Sequence, residues 1–308
     1  MITAQENIGW FYNKLYTPTI FYTPKILLKL ESLNPTGSIK DRLIQYIVQK
    51  ELFSKRKVWN KDLVFVEASS GNSAISLASI GAQLGNKVII FMPRNMSNER
   101  KILIKNFGAE IIETGDNDFA GAIEKRNNFL LENKNSWSPK QFSNPNNVEC
   151  YIHGGFSKEI TKGPLKKLYF KNKSFDKKIP IFFVSGAGTG GTLMGLNKKF
   201  GIYNEWFYGY NVNFAQVIPD EDLKLHGIQG IGDGGDFLLD RKVVNEFIRI
   251  KTDDAKNKVK DIQKKIGMFL GISTAANILA AEKLSSEHPE SLIFTIAPDR
   301  GERYMSIL

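Results

Sequence analysis

Residues 63–92 read LVFVEASSGNSAISLASIGAQLGNKVIIFM. The two ends, LVFVE (63–67) and VIIFM (88–92), are short and continuously apolar. Runs of that kind mark strands buried on both faces. Between them lie a turn of small residues, SSGNS (69–73), and a helix expected from near Ala74. Strand, turn, helix and strand in that order predict a parallel sheet with crossover helices.

The pattern extends in both directions. EIIET (110–114), IFFV (181–184) and LIFTIA (292–297) read as further buried strands. In residues 40–53, Leu43, Ile44, Ile47, Val48 and Leu52 recur at helical spacing and form one apolar stripe. Residues 100–107 and 274–284 read the same way. The expected class is α/β, mostly parallel and doubly wound. The turn-rich QFSNPNN (141–147) suggests a domain boundary near residue 145, and residues 161–178 read as a surface insertion.

Composition narrows the functional classes. The chain has 308 residues, 42% of them hydrophobic, which allows one large domain or two ordinary ones. No stretch is apolar and long enough to span a bilayer, so no membrane partner is expected. The N-terminus lacks the layout of a signal peptide, and the single cysteine, Cys150, cannot form an internal disulfide. Both features point to a reducing cytoplasm. His153, His226 and His288 lack metal-ligand spacing, so no metal is expected. The net charge of +10 raises the question of nucleic acid. The lysines are spread along the chain, and a solvated basic face is the preferred reading.

Four loops follow strand-like segments, where open α/β sheets bind ligands. In NPTGSIKDR (34–42), Ser38 is a fair helix cap and Lys40 falls in the first helical turn. There the helix dipole opposes a cation and favours the neutral amine that imine chemistry needs. An ordinary surface lysine is the competing reading. SSGNS (69–73) offers small residues at a helix N-terminus, an anion site or a plain capping turn. Within it, the Asn72 amide is able to donate to a phenolate oxygen. GAGTGGT (186–192) has glycines that admit a phosphate to the backbone amides, and two threonine hydroxyls. It is neither a Walker A loop nor a clean GxGxxG. In GIST (271–274), Ser273 alone reads as an N-cap.

Together these segments resemble the fold type II pyridoxal-phosphate (PLP) enzymes, most of all the cysteine synthase and cystathionine β-synthase family. LKLESLNPTGSIKDR (28–42), EASSGNSAISLA (67–78), MPRNMSNERKILIKNFGAEII (92–112), QFSNPNN, GAGTGGT, GIQGIG (227–232), GIST and PDRGERYMS (298–306) occur in the family's order. The resemblance implies two doubly wound parallel-sheet α/β domains, like the tryptophan synthase β subunit. Residues 36–145 would form a smaller mobile domain, and 1–35 with 146–308 a larger one that binds the cofactor phosphate. It further implies that Lys40 carries PLP as an imine and moves the substrate's α-proton. Asn72 would contact the ring oxygen. Gly188, Thr189, Gly190, Gly191 and Thr192 would hold the phosphate, and Ser273 would face the ring nitrogen. Ser69, Ser70, Ser73 and Gln141, with Asn72, would bind the substrate carboxylate, and Gly230 would border the substrate. A homodimer is implied as well.

The implied activity is β-replacement through an aminoacrylate, with O-acetylserine or O-phosphoserine as donor and sulfide as acceptor. One departure qualifies it. GIGDGGD (230–236) places Asp233 where small or apolar residues are commoner. A carboxylate there would repel HS⁻ and instead serve as acid or base for water, a thiol or an amine. A solvent-facing turn aspartate is the alternative. A sulfide-releasing enzyme acting on cysteine is therefore the rival activity. An idle homologue that binds a partner through its basic surface is the rival class.

Overall fold

The computed structural model describes residues 15–53, 60–163, 179–202, 211–221, 226–232 and 237–308. Along the chain, β1 (Thr19–Phe21) and β2 (Ile26–Lys29) precede α1 (Lys40–Val48). Then come β3 (Val64–Ala68), α2 (Asn72–Leu84), β4 (Val88–Pro93), α3 (Asn98–Asn106), β5 (Glu110–Thr114), α4 (Phe119–Glu132) and β6 (Ser136–Trp137). The remainder is α5 (Asn146–His153), α6 (Gly155–Lys162), β7 (Ile181–Gly186), α7 (Gly191–Leu196), β8 (Val212–Pro219), β9 (Glu246–Ile250), α8 (Thr252–Ile266), α9 (Ile272–Glu287) and β10 (Leu292–Ile296).

The chain divides into two compact units. Among the described residues, the first holds Leu15, Asn34–Asn146 and Glu302–Leu308, and the second Tyr16–Leu33 and Asn147–Gly301. The last seven residues, expected with the larger domain, belong to the first unit. Side-chain bonds hold them there: Ser97 Oγ donates to the Arg303 carbonyl at 2.9 Å, and Glu99 accepts from the Ser306 amide at 2.7 Å.

The first unit is built on an all-parallel sheet in the order β5-β4-β3-β6. Its strands bury alternate side chains on opposite faces. Phe65, Val88, Ile90 and Met92 meet Leu43, Ile44 and Ile47 of α1 and Ala74, Leu77 and Ala78 of α2. Val66, Ala68, Ile89 and Phe91 meet Ala122 and Phe129 of α4 on the other side. Two apolar faces explain why 64–68 and 88–93 lack polar alternation. EIIET differs from expectation: β5 is an edge strand whose Glu110 and Glu113 are exposed, so it is not buried on both faces. The expected helix over 40–53 is α-helical to Val48 and continues as a widened π-helical turn over Gln49–Phe53.

The second unit has six strands in the order β1-β2-β10-β7-β8-β9, parallel except for the β1–β2 hairpin. β8 and β9 escaped the sequence reading because their apolar runs are broken by Asn213, Gln216 and Arg249. At its centre Phe183 stacks on Phe200 and Phe214, with centroids 5.3 and 5.7 Å away, and tilts against Phe294. Beneath β2, the fully buried Lys29 ammonium meets Glu159 at 2.6 Å and Glu31 at 3.5 Å. Among the described residues no helix is long and apolar enough to cross a membrane.

Phe183 is 1% exposed, so Phe183→Ala empties a site whose neighbours are rings. The expected cost is about 3–5 kcal/mol. Urea unfolding reads it as a lower midpoint at unchanged slope, and an unshifted midpoint would contradict the ring cluster.

Candidate active site

Lys40 is the first residue of α1 and half-buried. Ile39 before it already has helical angles (φ −57°, ψ −21°), and the Lys40 amide donates to Ser38 Oγ at 3.4 Å. The N-cap position thus falls on Ile39, which makes no side-chain capping bond, rather than on Ser38 as its type suggests. The loop is tied down from the position after Lys40. The buried Asp41 carboxylate accepts from the Thr36 amide (2.7 Å), Thr36 Oγ1 (2.5 Å) and Ser76 Oγ (2.6 Å). Burial pushes the Asp41 carboxyl above its ordinary value, while the Ser76 and Thr36 hydrogen bonds oppose the rise.

The 69–73 loop joins β3 to α2, which begins at Asn72 rather than near Ala74. Gly71 has φ +149°, and a Cβ there would sit 2.3 Å from Arg100 Cδ, so only glycine fits. Ser69 Oγ accepts from the amides of Gly71 (3.1 Å) and Ala74 (3.2 Å) and caps α2 from within. Ser73 Oγ donates to Gln141 Oε1 at 2.5 Å, bringing two expected site residues together. The Gln141 amide in turn donates to Glu67 Oε2 at 3.1 Å, and Arg126 Nη1 meets Glu67 Oε1 at 2.7 Å. Ser69, Ser73 and Gln141 are all buried, whereas Ser70 and Asn72 are half-exposed. The loop therefore offers Ser70, Asn72 and helix-end amides to an anion, while Ser69, Ser73 and Gln141 brace it.

In the second unit, β7 ends at Gly186 and α7 starts at Gly191. Gly190 bridges them with φ +83°, and a Cβ there would lie 2.6 Å from the Leu239 backbone nitrogen. Thr189 Oγ1 is held by Asn147 Nδ2 at 2.9 Å, while Gly188 and Thr192 remain half-exposed. The segment 227–232 comes to the same turn: the Gly232 amide donates to the Ala187 carbonyl at 3.0 Å. Gly230, at φ +93°, lies just before it. Ser273 is not the cap of its helix. α9 begins at Ile272 after Gly271, which leaves Ser273 buried inside the first turn. One turn on, Asn277 Oδ1 accepts from the Gly186 amide at 2.8 Å, tying α9 to the Gly/Thr turn. Asp233 lies outside the described residues.

Several residues that shape these loops have no role assigned by the sequence. Asp41, Glu67, Arg100, Arg303 and Tyr304 stand inside the quoted motifs without a role, and Arg126 stands outside them. Only their pairing in space distinguishes them.

Comparison with known proteins follows the same lines. The family model described as "Pyridoxal-phosphate dependent enzyme" matches residues 16–299. The chain is 36% identical to cysteine synthase B of Campylobacter jejuni over 287 residues, 91% of this chain and 90% of that protein. It is 34% identical to the cysteine synthase of Staphylococcus aureus, covering 91% and 87% of the two chains. Among solved structures, a hydrogen sulfide-producing enzyme of Fusobacterium nucleatum superposes with a TM-score of 0.80 at 33% identity, covering 98% of this chain and 91% of that one.

Burial pushes the Glu67 carboxyl up, and the Arg126 guanidinium draws it back down. Arg126→Ala should therefore cost about 3–5 kcal/mol, because it strands a buried carboxylate. Adding Glu67→Gln should recover part of that loss. Equal denaturation midpoints for Arg126→Ala and the unaltered protein would contradict the buried pair.

Proposed function

The chain belongs to the pyridoxal-phosphate dependent enzymes, in the fold type II branch with the cysteine synthases, and on that premise we propose that it performs β-replacement on a serine-derived amino acid. The leading pair of reactants is O-acetylserine or O-phosphoserine and sulfide, giving L-cysteine. The observation that carries this reading is 36% identity to a cysteine synthase across 91% of the chain, with a lysine opening α1.

The residues present suit the cofactor. A phosphate needs backbone donors at a helix start, and the 186–192 turn supplies glycines there beside two threonines. A ring nitrogen needs a hydroxyl. The first turn of α9 carries Ser273 and Thr274, and the buried Thr274 Oγ1 has no hydrogen-bond partner among the described residues. A ring oxygen suits the Asn72 amide. When bound, PLP supplies an electron sink that acidifies the substrate α-carbon.

The protein's own groups then divide the work. Lys40 would tether the cofactor, and its Nζ would take the substrate α-proton and later return it. Gly188, Thr189, Gly190, Gly191 and Thr192 hold the phosphate. Ser70 and the amides opening α2 hold the substrate carboxylate, with Ser69, Ser73 and Gln141 fixing their direction. Gly230 borders the substrate side chain. A hydroxyl at the ring nitrogen, in place of a carboxylate, would leave that nitrogen unprotonated and would favour loss of the β-substituent over reprotonation. The reading also carries a homodimer and a reducing, cytoplasmic setting, which suits a buried Cys150 outside any disulfide.

A second reading keeps the first half of the cycle and changes the reactants: cysteine as donor, sulfide released, and water, a thiol or an amine added. Two observations favour it. One is the likeness to the hydrogen sulfide-producing enzyme, whose aspartate-to-asparagine variant is known in complex with an α-aminoacrylate intermediate. The other is the sequence GIGDGGD, whose Asp233 brings a carboxylate that would serve as acid or base where small or apolar residues are commoner.

Parallel assays of cysteine formation from O-acetylserine and of sulfide release from cysteine separate the two readings. Lys40→Ala should lower either rate by at least about 10²-fold. Borohydride reduction and peptide mapping should mark Lys40 in the unaltered protein, and an unmarked Lys40 would sink both readings. Asp233→Asn should keep the cofactor but change the partition among sulfide, water and amine acceptors. An unchanged partition would assign Asp233 to the loop alone.

A further inference from the structure

Arg303 sits in a short helical turn, Gly301–Tyr304, near the C-terminus, yet it is 2% exposed. Its guanidinium bridges two loops of the first unit. Nη1 donates to the Gly37 carbonyl at 3.0 Å and to Asn72 Oδ1 at 2.9 Å, and Nη2 donates to the Thr36 carbonyl. One end of the bridge is the turn that leads into Lys40, and the other is the first residue of α2. Both ends are themselves fixed. Asp41 holds Thr36 through two hydrogen bonds, and Arg100 packs beneath Gly71 while donating to Tyr304 Oη at 2.7 Å. Arg303 is held by its own backbone, through Ser97 Oγ.

A guanidinium has donors and no acceptor. The Asn72 atom that faces it must therefore be the carbonyl oxygen, and the NH₂ group must face the other way. We propose that Arg303 is a positioning residue that fixes the Asn72 side chain with its amide donor turned toward the cofactor's ring oxygen. The role rests on the functional reading above. Without Arg303 the amide could turn over, and an acceptor would then face the anionic ring oxygen. Lysine is a poor substitute, because a single ammonium lacks the guanidinium's rigid fork of donors.

The test uses the holoenzyme and the balance between its visible band and its near-ultraviolet band. The visible band belongs to the form with an anionic ring oxygen, the near-ultraviolet band to the form with the proton on that oxygen. A lost donor favours the second form. Asn72→Ala should lower the visible-to-near-ultraviolet ratio by about tenfold, the factor carried by one hydrogen bond to a charged oxygen. Arg303→Met should move the ratio the same way, Arg303→Lys less so, and Arg303→Met added to Asn72→Ala should move it no further. A wild-type ratio in Arg303→Met, additive shifts in the double variant, or an unchanged ratio in Asn72→Ala would each overturn the role. So would Arg303 variants that take up no cofactor while Asn72→Ala does, since that marks a structural residue. An unaltered chain that takes up no cofactor overturns the functional reading itself, a result the variant comparisons cannot imitate.

Discussion

Parallel strand pairing constrains everything else in this protein. Adjacent parallel strands cannot be joined by a tight turn, so the chain must leave each strand's carboxyl end and return through a crossover. Where a helix follows directly, its N-terminus is delivered to that same edge. β3 runs into α2 in this way, and β7 into α7. Each junction collects backbone amides that lack intrahelical partners and the positive end of a helix dipole. Groups suited to a carboxylate and to a phosphate thus arise from topology before any side chain is chosen.

Holding such junctions in shape needs buried polar groups, and these raise their own electrostatic demands. Glu67 sits at the end of β3 without solvent, and its two oxygens are shared among Arg126, the Ala68 amide and the Gln141 amide. Asp41 is equally buried and is satisfied by Thr36 and Ser76. Each carboxylate is isolated from water and surrounded by donors, so each fixes the direction of the loop it touches. The hydroxyls expected to meet a substrate fall into the same economy. Ser69 and Ser73 spend their hydrogen bonds on the loop's own amides and on Gln141.

Membership of the pyridoxal-phosphate dependent enzymes gives these features a common purpose. The organic cofactor supplies the electron sink, and the protein supplies orientation. The C-terminal residues belong to the framework of the loops that open α1 and α2. Arg303 and Tyr304 brace the two loops that open α1 and α2, though more than two hundred residues separate them in sequence from Arg100 and Asn72.

The sequence by itself determined the α/β alternation, because strands buried on both faces must be almost wholly apolar, as 64–66 and 88–93 are. It also determined the family, because Lys40, the 69–73 loop, the 186–192 turn and Ser273 are local motifs that survive being read one after another. The edge position of β5, the strands β8 and β9, and the placement of the last seven residues were decided only by the tertiary structure. An edge strand and a buried strand differ in their neighbours, not in their letters. The same holds for side chains. Arg303 reads as one more surface cation in a chain of net charge +10, and only folding sets its guanidinium against three carbonyl oxygens. Chemistry carried by one residue type at one turn is legible in sequence, whereas chemistry that needs two distant segments to meet has no local trace.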